Sequence, residues 1–192
     1  MSDDRKIRQV RSVESKFETR EDGEELCIEG YFAVFNSSYE IAPGMIESIA
    51  QGAFSNTLGN DIRALINHDT TLVLGRNKAH TLELREDYHG LWGKILINPN
   101  DADAMNLYSR VKRGDVDQCS FGFEIVNEET EFLDDGSVHW TIREVNLHEV
   151  SCCTFPAYDQ TNISARSKEL EDLRRRKREA WKMEMLKRMK GE

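Results

Sequence analysis

The chain has 192 residues, of which 39% are hydrophobic and 32% charged; that is enough to bury one core of ordinary domain size and too apolar for a chain disordered throughout. A formal net charge of −9 opposes general nucleic-acid binding, and no apolar run reaches the length of a membrane span. Cys27, Cys119, Cys152 and Cys153 lack Cys-x-x-Cys spacing and are expected as free buried thiols rather than as zinc ligands or a disulfide framework.

The first twenty residues are charged throughout, without the apolar segment of a signal peptide, so synthesis in the cytosol is expected. Val10, Val13 and Phe17 predict a first strand, closed by a turn at Glu21-Asp22-Gly23-Glu24 before the alternating run Leu26 to Phe35, a hairpin. Asn36 to Gly44 reads as a loop, and Phe54 to Leu58 as a short helix. Ile62 to Ile66 is a compact apolar strand that runs out into Asn67-His68-Asp69, which puts a histidine at a sheet edge. Leu72 to Gly75 follows, then Thr81 to Arg85 and Leu91 to Ile97 as a second hairpin around Asp87-Tyr88-His89-Gly90. Ala104, Leu107, Tyr108 and Val111 have helical spacing between an aspartate-rich start and Gly114 as a stop. Ser120 to Val126 and Val138 to Val150 form the last strand pair, joined through Asp134-Asp135-Gly136. About two helices thus interrupt many strands, an α+β, mostly β, fold.

Beyond Ala165 the composition changes. From Lys168 to Glu192 there are ten basic and six acidic residues, a net of +4, so residues 1 to 167 carry −13 of the total of −9. The segment is expected to be helical, either docked on the domain or presented to a partner, with its acidic start and basic end matching the helix dipole. The organisation is read as one domain over residues 6–165 followed by a basic helical tail over 166–192.

The stretch Gln118-Cys119-Ser120-Phe121-Gly122-Phe123 carries the most chemical information. Alternation turns Cys119, Phe121, Phe123 and Ile125 to one face and Ser120, Gly122 and Glu124 to the other. A hydroxyl beside a glycine, opposite an aromatic face, suits a nucleophile approached by a substrate backbone. Such a serine needs an imidazole to take its proton and a third group to orient that imidazole. His68 can be the first, and His148 or Glu149, neighbours that alternation sends to opposite faces, can be the second. The remaining histidines, His80, His89 and His139, show no His-x-x-x-His spacing, so a zinc hydrolase has little support. Phosphate-binding glycine loops are missing, and nothing singles out a pair of carboxylates as a glycosidase dyad.

Several motifs occur in order: Gly30-Tyr31-Phe32-Ala33-Val34-Phe35-Asn36, Gly52-Ala53-Phe54, Ala64-Leu65-Ile66-Asn67-His68-Asp69, Leu74-Gly75-Arg76, Gly90-Leu91-Trp92, Cys119-Ser120-Phe121-Gly122-Phe123, and Leu147-His148-Glu149-Val150-Ser151 with Thr154-Phe155-Pro156-Ala157-Tyr158. Over residues 25 to 165 the chain resembles the prohead maturation proteases of tailed bacteriophages. The resemblance implies a fold shared with the herpesvirus assemblins, a β-barrel-like core flanked by helices. It also implies a serine endopeptidase, packaged in the immature prohead in the host cytoplasm, that cuts scaffold or the N-terminal part of the major capsid protein and then itself. By carry-over, Ser120 is the nucleophile and His68 the general base. Glu149 matches the acidic position of the phage motif, whereas His148 would mimic the Ser-His-His arrangement of the assemblins; Glu149 is preferred because a carboxylate holds imidazolium through a charge-assisted bond. Arg76 is a lesser candidate for stabilising the oxyanion, a solvated surface role being the simpler one. The resemblance calls for no cofactor or metal, takes major capsid protein and scaffold as partners, involves no nucleic acid or membrane, and leaves a homo-oligomer open. The alternative is a non-catalytic capsid-assembly or scaffolding module built on the same fold.

Overall fold

The computed structural model describes residues 8–14, 17–22, 25–155 and 160–190. The strands are β1 (Gln9–Glu14), β2 (Glu18–Asp22), β3 (Glu25–Val34), β4 (Tyr39–Ala42), β5 (Met45–Ile49), β6 (Arg63–Ile66), β7 (Asp69–Arg76), β8 (Leu82–Glu86), β9 (Gly90–Ile97), β10 (Gln118–Phe132) and β11 (Val138–Cys153); the helices are α1 (Ala102–Arg113) and α2 (Gln160–Lys190). Among the described residues, one sheet has seven strands, in the order β1-β10-β11-β5-β4 with β6 and β7 added beside β11, and the other has four, in the order β2-β3-β9-β8. The mostly-β α+β expectation is met. The pairing is that of two sheets, with no closed barrel among the described residues.

The core lies between the sheets. Ile28 and Phe32 of β3 and Leu91 and Ile95 of β9 meet Phe121 and Phe123 of β10 and Val150 of β11 in one buried cluster. Phe54 packs edge-on to Phe121 at 5.5 Å between ring centroids, and Phe121 stacks on Phe123 at 4.9 Å, which adds aromatic contact energy to the area buried. Helix α1 closes one end with Ala104, Leu107, Tyr108 and Val111 buried. Its start is capped by the Asp101 carboxylate, which accepts from the N–H groups of Asp103 and Ala104, and it stops at Gly114 in the left-handed region.

The chain is arranged around β11. Its first part pairs in parallel with β5 and its last part in parallel with β6, while β10 runs antiparallel along the other edge. Val145 and Leu147 point into the core, yet so do Val150 and Cys152, so alternation breaks between Leu147 and Val150. The register shows why: Gly122 pairs with Glu149 and Phe123 with Leu147, leaving His148 as the extra residue of a β-bulge. Unbroken alternation from Leu147 would have turned Glu149 into the apolar core.

Other expectations need correction. Val10 and Val13 share β1 of the larger sheet, but Phe17 lies outside it, just before β2 of the smaller sheet. The hairpin to β3 is present, although its turn at Gly23-Glu24 lies outside the described residues, as do Pro156 to Tyr158 of the last motif and residue 6 at the expected domain start. The loop from Asn36 to Gly44 contains β4. Phe54 to Leu58 is a run of turns rather than a helix: the N–H groups of Ser55 and Thr57 bond to carbonyls three residues back, and the Ala53 carbonyl is taken by the Val145 N–H of β11. All four cysteines are buried as thiols outside any disulfide, as expected. At the other end, Leu170 of α2 packs with Met45, Val138 and Trp140 in a second buried cluster, whereas Trp181, Leu186 and Met189 farther along are exposed.

Candidate active site

Ser120 stands on β10 between β1 and β11, directly opposite Ser12 on one side and Ser151 on the other. The predicted division of the strand holds: Cys119, Phe121 and Phe123 are core residues, and Ser120 and Gly122 face away from them. Ser120 is nevertheless fully buried, and its hydroxyl donates to the backbone carbonyl of Arg11 in β1 at 2.9 Å.

His68 is held by a tight hairpin. Ile66 of β6 pairs with Asp69 of β7, so Asn67 and His68 are the two central residues of the turn, with φ of 49° and 61°. Two consecutive positive φ values are what a two-residue type I′ hairpin needs, and a histidine in that region carries some backbone strain. The turn is tied to β11, since the Asn67 N–H donates to the Cys152 carbonyl and the Asn67 side-chain oxygen accepts from the Thr154 N–H.

Glu149, buried on β11, completes the contact. His68 Nδ1 donates to Glu149 Oε1 at 2.6 Å. An ionised carboxylate accepts only, so this bond puts the ring proton on Nδ1 and leaves Nε2 as the basic nitrogen of the neutral imidazole. The same Oε1 accepts from Arg8 Nη2 at 2.7 Å, and Oε2 accepts from Ser151 Oγ at 2.6 Å. Burial pushes the Glu149 carboxyl up, but its contacts with His68, Ser151 and Arg8 outweigh burial and hold it below the ordinary range, so it is a carboxylate at neutral pH. His68 Nε2 lies 3.6 Å from the Cys153 sulfur. Burial, and then the Glu149 charge, push that thiol up to about 12, so it stays protonated and does not compete as a thiolate.

His148 belongs elsewhere. The bulge places it on the same side of the sheet as Glu149, contrary to the opposite faces that alternation predicts; His148 Nε2 lies 3.3 Å from Glu124 Oε1, and Glu149 sits over Gly122. Reach rather than face separates the two candidates, and Glu149 is the one bonded to His68. Gly122 also acquires a reason of its own: a Cβ there would collide with Glu149 Oε1 and stand 2.9 Å from Arg8 Nε. The glycine thus makes room for the carboxylate itself. Arg76 is engaged with Asp61 through two bonds of 2.6 and 2.8 Å, which hold that exposed carboxyl down at about 2. Of the other histidines, His139 meets Ser48 Oγ at 2.8 Å, His89 lies edge-on to Tyr31, and His80 follows a short 3-10 turn at Asn77–Ala79.

The profile of a protein family described as caudovirus prohead serine protease matches residues 12–176. The chain belongs to that family. It is similar to the prohead protease of Enterobacteria phage HK97, with 32% identity over 148 residues, which are 75% of this chain and 61% of that protein. The chain therefore spans less than two thirds of the length of that relative. Among solved structures, the capsid assembly protease of bacteriophage T4 is similar with a TM-score of 0.49 at 9% identity, over 76% of this chain and 96% of that one. His68, Ser120 and Glu149 all fall inside the family match, whereas Arg8 precedes it. Arg8, Ser151 and Cys153 at the site were not anticipated from sequence; for Ser151 the signal was available, because it stands two residues beyond Glu149 on the same strand.

Proposed function

We propose that this chain is a serine endopeptidase of prohead maturation, with Ser120 as nucleophile, His68 as general base and Glu149 as the carboxylate that orients the imidazole. The observation that carries the proposal is the His68 Nδ1 to Glu149 Oε1 bond of 2.6 Å, formed beside the strand pair that carries Ser120. In the reaction, the Ser120 hydroxyl turns from the Arg11 carbonyl, gives its proton to His68 Nε2 and attacks the scissile carbonyl carbon. The imidazolium, stabilised by Glu149, then protonates the departing amine, leaving an acyl-enzyme that water hydrolyses by the same route in reverse. Because Ser120 is buried, a substrate reaches it only after neighbouring chain moves aside, which suits an enzyme kept at rest until assembly.

On this reading the substrates are scaffold, the N-terminal region of the major capsid protein and the chain itself, inside the immature prohead in the host cytoplasm. The fold is read as assemblin-like, with two packed sheets standing in place of a closed barrel. On the same reading the domain runs past residue 165 to take in the docked Leu170 of α2, and the exposed remainder of the basic tail over 166–192 binds scaffold or is removed by self-cleavage. The test is co-expression with the neighbouring capsid and scaffold proteins, with new termini mapped by mass spectrometry. Termini that appear with the native chain and vanish with Ser120→Ala support the proposal; unprocessed capsid and scaffold proteins in both cases would leave the assembly-module reading in its place.

A further inference from the structure

Only one oxygen of Glu149 faces the imidazole, and the other is also occupied. Oε1 accepts from His68 and Arg8, and Oε2 accepts from Ser151 Oγ at 2.6 Å. Ser151 is fully buried, lies two residues beyond Glu149 on β11 and pairs in register with Ser120. A glutamate side chain has three torsions, the last of them broad, so a bond to Oε1 alone leaves the carboxylate free to twist out of line with the ring. A second donor on Oε2 removes that freedom. The Ser151 hydroxyl has one proton, and it is spent on the carboxylate; its role is that of a donor.

We infer that Ser151 is a positioning residue for the reaction, holding the Glu149 carboxylate in line with His68 Nδ1 by anchoring the oxygen that His68 does not use. This inference rests on the reading of Glu149 as the orienting carboxylate. Ser151 acts through Glu149, so its removal changes the chemical step and not substrate binding.

The test uses the full chain and a fluorogenic peptide spanning a cleavage site mapped in the co-expression experiment. A hydrogen bond to a charged group corresponds to about a 10- to 100-fold effect, so Ser151→Ala is expected to lower kcat by about that factor and leave KM within about twofold. Ser151→Cys, which keeps the volume and weakens the donor, falls between; should the alanine variant fail to fold, the cysteine variant carries the test. In a Glu149→Gln background, Ser151→Ala should cost little further, since residues that act through one another are not additive. The inference is overturned if Glu149→Gln is impaired while Ser151→Ala and Ser151→Cys keep full kcat. An equally large loss from Ser151→Ala in both backgrounds overturns it too. Full activity of Glu149→Gln itself would sink the reading of the site, and the inference with it.

Discussion

His68 Nδ1 and Glu149 Oε1 lie 2.6 Å apart although 81 positions separate them in the chain. Two local departures from regular structure bring this about. The Asn67-His68 turn throws the imidazole toward β11, and the bulge at His148 turns Glu149 out of the core to receive it. Bulges next to active sites commonly re-aim a side chain in this way.

Substituting Glu149 and His148 separates the two candidate third members. Glu149→Gln keeps shape and some hydrogen bonding but loses the charge that stabilises imidazolium, so activity is expected to fall by up to about 10^4-fold. His148→Gln should be mild, since its neighbour is the half-exposed Glu124. Peptide cleavage by both variants decides the matter, and the opposite ranking would make this a Ser-His-His enzyme.

Ser120→Ala removes one oxygen and should leave the fold intact while lowering kcat by about 10^4-fold or more. His68→Ala should match it, because members of a triad act as a unit. Processing of capsid protein at an unaltered rate by Ser120→Ala would show that the nucleophile is another residue.

Gly122→Ala tests why the glycine is there. Its methyl group would occupy the space of Glu149 Oε1 and crowd Arg8, so the carboxylate must leave the imidazole. Activity should drop as far as in Glu149→Gln, and adding Glu149→Gln should then cost little more. A fully active Gly122→Ala enzyme would mean that the carboxylate can retreat without consequence.

Glu149 also makes stability depend on pH. Its folded-state pKa lies below the ordinary value, so between the two values the unfolded chain binds more protons than the folded one. The contribution is complete above the unfolded value of about 4.3 and is lost as pH falls through the lower folded value. Urea unfolding of the native chain should therefore weaken more steeply than that of Glu149→Gln between about pH 5 and about pH 3. Parallel curves for the two proteins would mean that the carboxylate gains nothing on folding.

Helix α2 should divide in two. Leu170 is buried against Met45, Val138 and Trp140, and Leu170→Ala is expected to cost about 2–3 kcal/mol by leaving a cavity. Deleting residues 178–192, where Trp181, Leu186 and Met189 are exposed, should change the unfolding free energy by no more than about 0.5 kcal/mol while reducing incorporation into proheads. Denaturant titration reads the first effect, and the protease content of purified proheads the second; unchanged packaging would argue against a scaffold-binding tail.

Alternation and turn residues in the sequence determined most of the strands, the caps of α1, the burial of the four cysteines and the two faces of the Ser120 strand, because each depends on side chains a few positions apart. The ordered motifs pointed to His68, Ser120 and Glu149. Local pattern could not decide that β1 and β2 enter different sheets, since that depends on which long-range edges are free to pair, nor that the turns around Phe54 would give up a carbonyl to β11. Nor could it place Glu149 and His148 on the right face of the sheet, although the carboxylate was already the preferred one. Strict alternation assigned them opposite faces, and the bulge that puts both on one face exists only because β10 and β11 pair out of step beside Gly122. The break in the apolar pattern between Leu147 and Val150 was visible in the sequence, but its meaning came from the partner strand. The same holds for Ser151: its hydroxyl is unremarkable in the chain and becomes a carboxylate anchor only once burial removes water as an alternative partner.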